Sequence, residues 1–148
     1  MKPRVDTFLT TSAMALLGEA VPMLAGHYIE GSVRTQAFLQ MLLAPVFDAA
    51  ADNRVQDIAA IQKLFRRAAR DCPDADLKAA LEASGRSKSS SLRVSSLDET
   101  WGALARQMIA LQTLAEESPA PWGPGMTRAC NRLMAESARR HLIQVLPM

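Results

Sequence analysis

Between Ala37 and Phe47 the chain carries no charged side chain, and wound at 3.6 residues per turn its apolar residues fall on every side. A helix apolar all round belongs in the middle of a bundle, because none of its faces is favourable against water. The stretch is also too short to span a bilayer. It therefore requires helical neighbours, and the rest of the sequence supplies candidates.

The clearest neighbour follows directly. Val55, Ile58, Ile61, Phe65, Ala68 and Cys72 form a stripe of helical period, opened by Asn53 and Gln56 in capping-box spacing and ended by Pro73. A first helix is expected from Val5 to Ala25, with Phe8, Leu9, Leu16, Leu17, Val21 and Leu24 on its apolar side. Pro22 removes one backbone donor there and predicts a kink near Gly18 to Val21. The uncharged stretch belongs to a second helix, from Ser32 to Asp52, with Pro45 as a second kink. A short helix over Asp74 to Ala83 stops at Gly85.

Ser96 and Glu99 then form a capping box before Trp101, Leu104, Met108, Leu111 and Ala115. The last helix is expected from Met126 to Val145, with Met126, Cys130, Leu133, Met134, Ala138, Leu142 and Val145 as its stripe. Residues 84–96 are serine-rich and without an acid, and read as a flexible loop. Residues 118–125 contain three prolines and read as a helix-free connector. No alternating run suggests a strand, and Ala, Leu and Met are strong helix formers. The expected fold is an all-α, single-domain bundle (residues 1–148) of about five helices, mostly antiparallel, with the first and second kinked by proline.

Composition excludes several functions. A net charge of +2 with 22% charged residues does not demand nucleic acid or an anionic membrane as partner. Cys72 and Cys130 are far apart in sequence and lack nearby histidines, so free buried thiols are expected, not a disulfide framework or zinc site. Asp6 and Glu19 bracket the only signal-like segment, and Thr10, Thr11 and Ser12 interrupt it. A cytoplasmic protein is expected. No cofactor or metal is expected either. A di-metal bundle needs Glu-x-x-His pairs, whereas His27-x-x-Glu30 is reversed and Glu136 and His141 face different sides. His141 reads as a hydrogen-bonded histidine beside the last stripe. Serines crowd the loop, where a nucleophile has no fixed position, so the chain reads as non-enzymatic.

Two groups remain as candidate sites. His27, Tyr28, Glu30 and Arg34 lie where Gly26, Gly31 and Pro22 loosen the backbone, and form a candidate mouth for a ligand pocket. The plainer reading is a helix end closed by Gly31. Leu24-Ala25 before His27, and Gly31-Ser32 after it, resemble the pattern around the phosphorylated histidine of histidine-phosphotransfer domains. The resemblance implies a helical His27 exposed to a docking partner. Glu30 departs from it, standing where that family has lysine.

Lys63, Arg66, Arg67 and Arg70 form the second group, four cations on one helix face opposite the apolar stripe. Arg86, Lys88 and Arg93 in the loop, and Arg128, Arg132 and Arg139 on the last helix, add to the basic surface. Without interleaved aromatics this reads first as a solvated face. The leading functional expectation is a non-catalytic interaction or regulatory module, homo-oligomeric or bound to a protein partner. The alternative is a binder of a small apolar ligand between the kinked helices, and the third is phosphotransfer through His27.

Overall fold

In a computed structural model, which describes residues 4–142, all regular structure is helical. The chain begins with an interrupted helix, made of α1 (Val5–Ala15), a π turn (Leu16–Ala20) and α2 (Val21–Met23). Then come α3 (Glu30–Asp71), α4 (Ala75–Ser84), α5 (Val94–Glu117) and α6 (Trp122–Arg140). Counting the interrupted helix once, the fold is five helices, with no strand among the described residues. No helix among them is long and apolar enough to cross a membrane.

Pro22 accounts for the interruption. It has no N–H to offer the Gly18 carbonyl, and its ring crowds that carbonyl. The chain responds by widening into a π turn just before the proline. Pro45 is absorbed differently, inside α3, which continues through it. The expected helix start at Asn53 does not exist: the anticipated second and third helices are one, because Ala49, Ala50 and Ala51 favour helix and nothing there breaks it. Asn53 instead donates from Nδ2 to the Arg140 carbonyl at 3.1 Å, and Gln56 donates to Asp52.

The helices cluster into two compact units that divide α3 at Ala50. In the first unit the interrupted helix and the N-terminal part of α3 form a hairpin. Its turn, from Leu24 to Ile29, depends on Gly26, whose φ of 80° is left-handed. The Glu30 carboxylate accepts from the Gly26 N–H at 3.0 Å and closes the turn. At the other end, Arg4 reaches Asp48 at 3.4 Å. The buried side chains of this unit are Ala13, Val21, Ala37 and Ala44, all small. Small residues at a helix seam let backbones approach closely, at the cost of little apolar area per residue.

The second unit, Ala51–His141, holds the main core. Ile58, Ile61, Leu64, Phe65, Ala68 and Ala69 from α3 pack with Leu81 of α4, five side chains of α5 and three of α6. The expected stripes are present in this unit, although Val55, Met134, Ala138 and Leu142 lie exposed, as does Phe8 of the stripe expected on the first helix; Val145 falls outside the described residues. Asp74 caps α4 by accepting from the Leu77 N–H at 2.7 Å.

Two other boundaries differ from expectation. Helix α5 starts at Val94, so Ser96 lies within it and its hydroxyl pairs with Ser90. The serines of the 85–93 connection hydrogen-bond locally, Ser89 to the Ser91 carbonyl and Ser91 to the Arg93 N–H. The 118–125 segment is not helix-free: Trp122 to Gly125 form the first turn of α6. Pro124 fits there because N–H groups of a first turn have no helical partner to lose.

Candidate functional site

The predicted group at His27 is only partly assembled. Glu30 and Arg34, one turn apart at the start of α3, pair at 2.5 Å. The Arg34 hydrogen bond, then that from Gly26, holds the Glu30 carboxyl below its ordinary range. His27 and Tyr28 lie in the hairpin turn, their ring centroids 5.3 Å apart, with Tyr28 90% exposed. His27 is therefore not on a helix, as the phosphotransfer resemblance requires, because Gly26 has turned the chain immediately before it. Glu30 and Arg34 neutralise one another, and neither aromatic ring is enclosed.

The uncharged stretch of α3 lies differently from its expected place at a bundle centre. Only its small residues, Ala37 and Ala44, are buried. A heptad apart, they occupy one side of the helix. On the opposite side Leu39, Leu43 and Val46 are exposed, and Phe38 and Phe47, half a turn apart from one another, are exposed on the two flanks, Phe47 by 61%; Leu42 is half-buried. Leu39, Leu43 and Val46 follow the 4-3 spacing that aligns side chains along a helical seam. The physical reason is the alanine seam. It satisfies α3 on one side with small contacts and leaves the large apolar residues facing outwards.

A third constellation was not anticipated from sequence. Asp57 on α3 is fully buried, the only such acid among the described residues. Its Oδ1 accepts from Arg140 Nε at 2.9 Å and Nη2 at 2.5 Å. Its Oδ2 accepts from Ser137 Oγ at 2.9 Å and His141 Nε2 at 2.7 Å, with Arg54 Nη1 at 3.9 Å. Burial pushes the carboxyl's pKa up, but the bonds from His141, Arg140 and Ser137, with the Arg140 charge, outweigh it and hold it below the ordinary aspartate value. Arg54 also pairs with Asp98 and stacks 4.6 Å from the Trp101 ring centroid. The available signal was Asp57's register: it sits four residues before Ile61, on the apolar stripe itself, where a carboxylate needs partners. His141 is hydrogen-bonded, as its position beside the last stripe suggested.

These partners saturate Asp57. With its lone pairs taken up by Arg140, Ser137 and His141, the carboxylate ties the end of α6 to α3. Of the basic face, Lys63, Arg66, Arg67 and Arg70 are all exposed. Cys72 and Cys130 are buried free thiols. Comparisons with protein-family models, with curated proteins and with solved structures found no match to this chain.

Proposed function

We propose that this protein is a non-catalytic helical interaction module, and that the outward apolar side of α3 in the first unit docks a second copy of the chain. The observation that carries the reading is the exposed seam Leu39, Leu43 and Val46, flanked by the exposed Phe38 and Phe47, on an uncharged stretch. Contiguous apolar surface of this kind is uncommon on monomers unless it is used.

Charge favours a second copy. An uncharged helical face is self-complementary, since a two-fold axis brings the patch onto itself without opposing like charges.

Sedimentation velocity of the full chain tests this. A dimer in the micromolar range is expected, with Leu43→Glu monomeric and unchanged in helical circular dichroism. A wild-type chain that stays monomeric, or a Leu43→Glu dimer, overturns the reading.

A further inference from the structure

We propose that the cleft between α3 and α4, in the second unit, binds a small phosphate-bearing anion. The cleft has a volume of about 290 Å³ and is lined by Arg66, Ala69, Arg70, Lys78, Glu82 and Arg86. Four cations thus face one carboxylate. Elsewhere in this unit Arg54 and Arg140 lie against Asp98 and Asp57. Among the described residues, none of the four cleft cations has a carboxylate within 4.0 Å, Glu82 included. Such a cluster repels itself until an anion enters, and the repulsion it relieves adds to the anion's affinity.

The walls are fastened, which separates this cleft from a row of loose surface side chains. Arg66 Nη1 donates to the Gly85 carbonyl at 2.5 Å. A Cβ on Gly85 would lie 3.0 Å from both Arg66 Cγ and the Leu81 carbonyl, so a side chain there would press on Arg66. Gln62 Nε2 donates to the Ser87 carbonyl at 2.7 Å, and Ser87 Oγ to the Ser84 carbonyl at 2.9 Å. The segment that carries Arg86 is therefore stapled to α3. Lys78 and Glu82 are set by α4, whose Leu81 is fully buried in the core. Ordered walls reduce the entropy lost on binding.

Size and chemistry indicate the ligand class. A cleft at the small end of ligand sites admits a phosphate with a modest attached group, and is too small for a duplex. Guanidinium forks match phosphate oxygens bidentately, and three of the four cations are arginines. Glu82 supplies an acceptor, which suits an ester bearing a hydroxyl beside its phosphate.

Titration calorimetry on the full chain at constant ionic strength tests the assignment, with inorganic phosphate and glycerol 3-phosphate as probes. Saturable one-site binding of either is expected; tighter binding of the ester identifies an esterified ligand, and equal binding identifies phosphate itself. Arg70→Gln and Arg86→Gln should each weaken it about tenfold, the worth of one charge-assisted hydrogen bond. Lys63→Gln, on α3 but off the cleft, should change it less than about twofold. Both cleft positions are exposed, and thermal melts report whether the variants remain folded. Absence of saturable binding, or equal binding by wild type, Arg70→Gln and Arg86→Gln, overturns the proposal. So does an equal weakening by Lys63→Gln, which would indicate diffuse surface charge.

Discussion

Replacing Asp57 by alanine removes the one acceptor shared by Arg140, Ser137 and His141. A hydrogen bond to a charged group is worth about 1.5–3 kcal/mol, but bonds to one carboxylate do not add. Breaking a buried pair costs about 3–5 kcal/mol when the survivor stays buried. Here the survivors are not fully buried: the Arg140 and His141 side chains are 23% and 36% exposed and regain some water. The expected loss is therefore at the lower end, about 3 kcal/mol. In a unit this size that lowers Tm by roughly 12–20 °C. Urea denaturation followed by circular dichroism at neutral pH measures it. A loss below about 1 kcal/mol would refute the claim that the cluster ties α6 to α3.

The same carboxylate gives the pH dependence a sign. Its pKa is lower folded than unfolded, so its contribution is present above about pH 4 and is lost as pH falls through the folded value. Asp57→Asn should therefore be less stable than wild type at neutral pH. That difference should shrink under acid, because wild type loses what the variant never had. A gap that widens on acidification would contradict the assigned direction.

Other outcomes follow from the packing. Gly123→Ala should cost about 2 kcal/mol, because its Cβ would lie 2.5 Å from the Ala115 carbonyl and 2.7 Å from that of Ser118. Gly102→Ala, within α5 and with nothing within 4 Å, should instead gain about 0.5–1 kcal/mol; paired thermal melts distinguish the signs. Phe65→Ala, at a fully buried core position, should cost about 3–5 kcal/mol by urea titration. Burial pushes the Cys130 thiol pKa up, so Cys130 should resist alkylation at mildly alkaline pH until denaturant is added, as read by mass spectrometry.

The helical class was legible in the sequence because each buried stripe repeats at helical period. The core residues Ile58, Ile61, Phe65, Leu104, Leu111 and Cys130 all follow from that spacing. Pro73 was equally readable, since it acts on its own backbone neighbours; Asp74, expected as the first residue of the short helix, is its cap. Capping residues elsewhere misled. Asn53 and Ser96 have the chemistry of caps, but a backbone carbonyl distant in sequence claimed the first and a serine of the preceding loop the second. Likewise Trp122 to Pro124 looked like a connector although a first helical turn accommodates them.

The uncharged stretch of α3 shows where local information ends. Its composition determined that Ala37 to Phe47 is helical and has no charge to set its orientation. With apolar residues on every side, the sequence favoured no one face for burial. That choice was tertiary: the hairpin buries the alanines, whose small size allows close approach, and turns the phenylalanines and leucines outwards. The pairing of Asp57 with Arg140 and His141, and the gathering of Arg66, Arg70, Lys78 and Arg86 around one cleft, were decided at the same level. Helical periodicity is written into near neighbours, whereas these meetings depend on which helices pack together.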